Sequence, residues 1–143
     1  MSVKIKKFDF SEQKLFKLAR EIRTIVFVEE QNVEHNLELD GFDKDSVHYL
    51  LYAEEKPVAT ARWRKTKKGI KLERFAVLKS QRHTGLGQLI LHEILADVKP
   101  FDTTIYLSAQ KEATTFYEKY GFSVVGEKFF EAEIEHFEMV YNM

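Results

Sequence analysis

The chain has 143 residues, 22 basic and 23 acidic side chains, a formal charge of -1 and 44% hydrophobic residues. This balance predicts one globular domain over residues 1–143 and argues against disorder and against a global footprint for nucleic acid or an anionic membrane. The absence of cysteine excludes disulfides, thiolate zinc sites and cysteine nucleophiles, and with no signal or spanning segment in view a cytoplasmic protein is expected.

Val3, Ile5, Phe8 and Phe10 alternate with polar residues and predict a first strand, with Ser11 placed to cap the helix that follows. Leu15, Leu18, Ala19, Ile22, Ile25 and Val26 recur at helical spacing. Residues 29 to 45 then carry seven acids, Glu29, Glu30, Glu34, Glu38, Asp40, Asp43 and Asp45, which predicts a short helix running into a surface loop. Val47 to Ala53 and Val58 to Arg64 read as a hairpin around a turn at Glu54 to Pro57. After a turn at Lys65 to Gly69, Ile70 to Leu78 reads as the next strand.

Gly85-Leu86-Gly87 opens a helix whose apolar rows are Leu86, Ile90, Ile94 and Leu91, Leu95, Val98, ended by Pro100. Thr103 to Leu107 reads as a buried strand. Ala113, Phe116, Tyr117 and Tyr120 mark one helical face, with Gly121 where a helix C-terminus favours glycine. Phe122 to Gly126 and Ile134 to Tyr141 supply the last strands, and an edge strand left exposed would admit a homodimer.

The segment Arg82-His83-Thr84-Gly85-Leu86-Gly87 joins a strand to a helix N-terminus, where free amides and the helix dipole favour an anion. A phosphate cradle and a simple capping device both fit that spacing. A P-loop is disfavoured by Gln88, which follows the second glycine, and a dinucleotide fingerprint by Ile90 where its third glycine would stand.

The segment resembles the Arg/Gln-x-x-Gly-x-Gly/Ala signature of the GNAT N-acetyltransferase superfamily, through Arg82, Gly85 and Gly87. Downstream, Ala113-Thr114-Thr115-Phe116-Tyr117-Glu118-Lys119-Tyr120-Gly121-Phe122 is similar to that family's Ala-x-x-Phe-Tyr-x-x-x-Gly-Phe motif. Arg23-x-x-Val26-Phe27-Val28-x-Glu30-Gln31 and Ile134-Glu135-His136-Phe137 resemble its ElaA/YjcF-type branch. Lys79 departs from a frequent proline, and no asparagine ends the strand at 107–109, where Gln110 is the nearest amide.

The resemblance implies an α/β fold with a mostly antiparallel sheet splayed at the cofactor site and flanked by helices. It implies direct acetyl transfer from acetyl-CoA to a primary amine, on a small molecule or a lysine-bearing acceptor. The Val77 main-chain amide would face the thioester, Phe75 and Ala76 the pantetheine arm, and residues Arg82, His83, Thr84, Gly85, Leu86 and Gly87 the diphosphate. Gln110 is a further cofactor contact. Glu73 resembles the glutamate that takes the amine proton, its alternative being an ion-paired surface residue beside Arg62, Arg64, Lys71 or Arg74. Tyr117 matches a general acid near the sulfur, its alternative a core aromatic, and His136 resembles a histidine that lines the acceptor pocket or moves protons, its alternative a histidine that is merely hydrogen-bonded. His35, His48, His83 and His92 lack ligand spacing, so no metal is expected. A non-catalytic acyl-CoA sensor on the same fold is the competing reading.

Charge is segregated, with nine bases and one acid, Glu73, over residues 62–82 against the acidic run at 29–45. A basic flank would suit the CoA phosphates and an acidic loop would attract cationic amines such as polyamines, aminosugars or lysine side chains; solvated surface is the alternative that fits the same segregation, above all for the acidic run.

Overall fold

A computed structural model describes residues 2–143. Seven strands form one sheet in the order β1-β2-β3-β4-β5-β7-β6. They are β1 (Val3–Phe8), β2 (Ser46–Ala53), β3 (Lys56–Lys65), β4 (Ile70–Val77), β5 (Ile105–Gln110), β6 (Phe122–Glu131) and β7 (Ile134–Tyr141). Every pairing is antiparallel except β4 with β5. The helices are α1 (Gln13–Arg23), α2 (His35–Glu38), α3 (Leu86–Val98) and α4 (Thr114–Lys119). Among the described residues no helix is long and apolar enough to cross a membrane.

The sheet is buried on both faces because each presents an apolar set to a helix. On one face α3 lays Leu86, Ile90, Leu91, Ile94, Leu95 and Val98 against Tyr49, Leu51, Ala59, Ala61, Leu72 and Leu107. Each such side chain removed from water contributes about 1.5–3 kcal/mol. On the other face Phe16, Ala19, Ile22 and Val26 of the first helix pack on Phe8, Leu50 and Ala76.

Several boundaries differ from those expected. Ser11 does not cap α1, because its hydroxyl donates back to Asp9 Oδ1, as does its backbone N–H at 2.9 Å, and the helix starts without a side-chain cap. The helix instead continues as a π-helix over Thr24–Glu30. The first hairpin turns on two residues, Glu54 and Glu55, at φ 51° and 67°, so Lys56 and Pro57 join the strand. Pro57 is tolerated at a strand start beside a register shift at Leu51/Tyr52. Strand β5 runs on to Gln110, with Leu107 and Ala109 buried and Ser108 and Gln110 half-buried on the opposite face. Strand β6 passes through Gly126 (φ 74°) at an irregularity in its pairing with β7, so that glycine marks a bulge and not the end of the strand. Gly121 (φ 100°) follows α4 as expected.

One feature of the sheet positions the site. Parallel pairing of β4 with β5 covers only Ile70↔Ile105, Lys71↔Tyr106 and Leu72↔Leu107. Beyond it β4 follows β3 and β5 follows β7, so the two strands part. A bulge on β4 at the same point sets three steps from Glu73 to Ala76 against two from Arg62 to Thr60, and Arg74 adopts φ 58° there. Left-handed backbone in a non-glycine residue costs about 1–3 kcal/mol and persists where surrounding contacts hold it.

Candidate active site

A cleft of about 820 Å³ fills the parting between β4 and β5. Ten of the thirteen sequence-predicted site residues line it: Glu73, Phe75, Ala76, Val77, Arg82, His83, Gly87, Gln110, Tyr117 and His136. Thr84, Gly85 and Leu86 lie outside its lining. Leu86 is 1% exposed, its side chain committed to the core, so it has only a main-chain amide to offer, and Thr84 Oγ1 donates to the Gln81 carbonyl at 2.6 Å.

The glycine loop is free to bind. Among the described residues the backbone N–H groups of 83–88 make no hydrogen bond, and α3 starts without a side-chain cap. Gly85 is demanded by its φ of 85° and not by space, since a Cβ there would meet nothing within 4 Å. Gly87 is different: a Cβ would meet Phe116 Cζ at an ordinary 3.6 Å, so packing would accept alanine and the glycine keeps the cleft wall low. Arg82 is already engaged, its Nε on the Val77 carbonyl at 2.9 Å and its Nη2 on Glu30 Oε1 at 2.9 Å. It therefore clamps the loop to the end of β4 more than it presents a free charge.

The Val77 amide points into the parting. Leu78 N–H is spent on the Val58 carbonyl at 2.9 Å, and successive peptide groups of a strand face opposite edges. Phe75 meets the Tyr117 ring edge-on at 5.8 Å. Tyr117 is 7% exposed and its hydroxyl has no partner among the described residues. Because no buried side-chain polar atom is left unpaired among the described residues, that hydroxyl opens on the cleft that Tyr117 lines. Burial pushes it well above its ordinary value of 10.0, so it stays protonated. Gln110 donates from Nε2 to Gln31 Oε1 at 2.8 Å, which bridges the cleft to the segment after the π-helix.

His136 is 8% exposed. Its Nδ1 lies 2.7 Å from the Ile134 carbonyl oxygen, an atom that only accepts. The neutral ring therefore carries its proton on Nδ1 and keeps a lone pair on Nε2. That nitrogen has no partner among the described residues and, by the same argument as for Tyr117, faces the cleft.

Glu73 sits in the wall as expected, but in the ion-paired state that was its alternative, and it is buried instead of superficial. Its Oε1 accepts from Arg64 Nε at 2.7 Å and Arg62 Nη2 at 3.1 Å, and Lys71 Nζ stands 3.5 Å from Oε2. Burial alone would raise its carboxyl; the Arg64 hydrogen bond and the Arg62 and Lys71 charges outweigh burial and hold it below the usual range. A carboxylate so stabilised is a poor proton acceptor.

Glu73 is one end of a larger network. Arg62, fully buried, also bonds Asp43 Oδ1 and Asp40 Oδ2, each at 2.6 Å. Arg23 bonds Glu38 Oε2 and Asp43 Oδ1, each at 2.7 Å. Arg74, at the bulge, bonds Glu38 Oε2 at 3.1 Å and Asp40 Oδ2 at 3.2 Å. These contacts latch α2 and the loop after it, one wall of the cleft, to β3 and β4. His48 adds a further tie, its Nε2 on the Asp43 carbonyl at 2.9 Å.

The expectation of two opposed charge fields is thereby corrected. Glu30, Glu38, Asp40 and Asp43 from the acidic run are consumed by Arg23, Arg62, Arg74 and Arg82. The available signal was Arg23, which stands on the buried stripe Phe16, Ala19, Arg23, Val26 of an amphipathic helix. A charge on an apolar stripe requires a buried partner. Gln31 carried no such signal apart from its place in the branch-like motif.

The latch has a pH signature. At His48 burial, the largest influence, lowers the imidazole from 6.5. At Asp43 burial raises the carboxyl but the Arg23 hydrogen bond and charge overcome it, leaving it below 3.8. Depressed folded-state values mean stability that is full above the unfolded value and lost as pH falls. A small loss is expected below about pH 6.5 from His48 and a steeper one below about pH 4 from the carboxylates. Urea midpoints recorded from pH 7 to 3 check this, and a flat profile contradicts it.

Among the described residues no group of three or more His, Cys, Asp or Glu side chains is arranged to hold a metal ion.

Comparison with known proteins extends the picture. The family profile described as "Acetyltransferase (GNAT) domain" matches residues 8–143. A Bacillus subtilis (strain 168) protein named "Uncharacterized N-acetyltransferase YjcF" is 40% identical over 121 residues, 83% of this chain and 86% of that one. Protein ElaA of Escherichia coli (strain K12) is 30% identical over 138 residues, 92% of this chain and 89% of its own. The crystal structure of Escherichia coli ElaA superposes with a TM-score of 0.89 at 27% identity, covering 99% of this chain and all 100% of that one. An acyl-CoA N-acyltransferase from Pseudomonas aeruginosa does so with a TM-score of 0.88 at 27% identity, over 99% and 100% of the two chains.

Proposed function

Because the chain belongs to the GNAT acetyltransferase family and is an acyltransferase, we propose that it moves the acetyl group of acetyl-CoA directly to a primary amine. The observation that carries this reading is the parting of β4 from β5 beside a loop whose amides at 83–88 are unengaged. Those amides and the α3 dipole suit a diphosphate, with Arg82 as the clamp that shapes the loop. Phe75 and Ala76 flank the arm, and the Val77 N–H meets the carbonyl oxygen of the thioester where negative charge develops.

The neutral amine forms the C–N bond as the C–S bond breaks, an amine proton leaves to His136 Nε2, and the Tyr117 hydroxyl protonates the departing thiolate. His136 suits the basic role through its open lone pair, whereas Glu73 has its lone pairs committed to Arg62 and Arg64. Glu73 then acts as a fixed charge that holds Lys71 in the cleft wall and is itself held from behind by Arg62 and Arg64. The competing sensor reading predicts binding without turnover.

The test is free-thiol release from acetyl-CoA with and without an amine. Release is expected to depend on the amine and to fall about 100-fold in His136→Asn. CoA at about 100 times its dissociation constant should stabilise both proteins by about 2.7 kcal/mol. Binding without amine-dependent release would favour the sensor, and no thermal shift would end the proposal.

A further inference from the structure

The charges around the cleft are nearly all answered from within the fold. Lys71 is opposed by Glu73 at 3.5 Å, Arg74 by Glu38 at 3.1 Å and Arg82 by Glu30 at 2.9 Å. Two lining carboxylates, Glu112 and Glu131, have neither a cation within 4.0 Å nor a hydrogen bond among the described residues. The nearby lysines do not neutralise them, since Lys111 and Lys128 are both drawn to Glu135, each at 3.8 Å.

Strand register places one of these acids beside the reacting groups. Glu131 pairs with Ile134 and Phe129 with His136, so all four share one face of the β6–β7 hairpin. Glu131 and His136 are diagonal cross-strand neighbours, with Cα atoms about 7–8 Å apart and long side chains able to reach between them. Glu112 follows Gln110, which pairs with His136 from the other side of β7. Independently of the acids, two side chains more than nine-tenths buried, His136 and Tyr117, leave Nε2 and a hydroxyl without partners and open to this cleft. Val33, Leu37 and Ile134 also line it and provide an apolar wall between the polar ends.

We propose that the acceptor is a linear diamine or polyamine: one nitrogen is acetylated beside His136, the methylene chain lies along Val33, Leu37 and Ile134, and a second ammonium group is held by Glu131 and Glu112. This rests on the acetyl-transfer reading and names its acceptor class. It also moves acceptor recognition from the acidic run at 29–45, whose cleft-side carboxylate Glu38 is bound to arginines, to the hairpin tip and the turn after β5.

Thiol release is measured for 1,4-diaminobutane, spermidine, n-butylamine, an aminosugar and a lysine peptide. The diamine and spermidine are expected to exceed n-butylamine in kcat/KM by about tenfold at low salt, with the gap narrowing as salt rises. In the double variant Glu112→Gln, Glu131→Gln that preference should collapse towards unity, and in Glu127→Gln, on the exposed stretch of β6 outside the cleft, it should not change. Equal use of n-butylamine, a preference that survives the double variant, or a better aminosugar or lysine peptide would each overturn the assignment. Those three results leave acetyl transfer standing, because an amine is still turned over. No release with any amine, together with no thermal shift by CoA, defeats both.

Discussion

Tyr117→Phe is expected to lower kcat by about 100-fold while leaving the affinity for CoA and the melting temperature nearly unchanged. Only the hydroxyl is removed, and among the described residues it has no partner whose loss would register as instability. The ring remains and keeps its edge contacts with Phe75 at 5.8 Å, Phe116 at 5.2 Å and Phe122 at 5.8 Å; a near-isosteric swap of this kind costs under about 1.5 kcal/mol. What is lost is a proton donor that burial keeps neutral well above its ordinary value of 10.0. Positioned acid catalysis is worth about 100- to 10,000-fold. Ionisation of Tyr117 therefore does not set the alkaline limb of the wild-type profile, because the group does not titrate in the working range. Steady-state kinetics beside a CoA titration decide the matter: a kcat within twofold of wild type would remove Tyr117 from the chemistry and return it to the core.

The parts of this site legible in sequence were those written in local spacing. The two apolar rows of α3, the glycines at 85 and 87, and the Phe116-Tyr117 pair ahead of Gly121 each lie within a few residues of one another, and each appears where the spacing placed it. The ion network was not legible because its partners are separated by 15 residues for Arg23 and Glu38, 20 for Arg23 and Asp43, and 22 for Arg62 and Asp40. Two runs of opposite charge, seen one after the other, suggested surfaces facing outward to two ligands. Folding instead closes much of one run upon the other. The continuation of β6 past Gly126 escaped for a related reason, since a glycine reads as a stop unless the pairing strand is known. The Glu131 and Glu112 pair emerged only from the register of β7 with both of its neighbours.

The largest stability effect is expected at Arg62. Arg62→Met removes the guanidinium shared by Asp40, Asp43 and Glu73 and leaves each of these carboxylates one cation short, with Arg74, Arg23 and the Arg64–Lys71 pair as their remaining partners. Breaking a buried pair from one side costs about 3–5 kcal/mol, a fall in Tm of roughly 10 °C at this chain length. By contrast Glu30→Gln disrupts a pair whose side chains are 28% and 32% exposed, and exposed pairs are worth about 0–1 kcal/mol. Arg62→Lys should fall between the two, because one ammonium cannot serve three carboxylates in the planar geometry of a guanidinium. Differential scanning calorimetry of the three variants tests this order; Arg62→Met melting with Glu30→Gln would show that the network is solvated and does not latch the wall. An apolar cluster of similar volume would stabilise at least as well, so stability alone does not account for buried charge here. Carboxylates and guanidinium groups bond in fixed directions where methyl groups do not, and what they fix is the distance between α2 and the β4 bulge. In the folded fraction of Arg62→Met the KM for the amine should therefore rise more than the KM for acetyl-CoA, since the wall released is the one on the acceptor side and the glycine loop is tied down separately by Arg82 on the Val77 carbonyl.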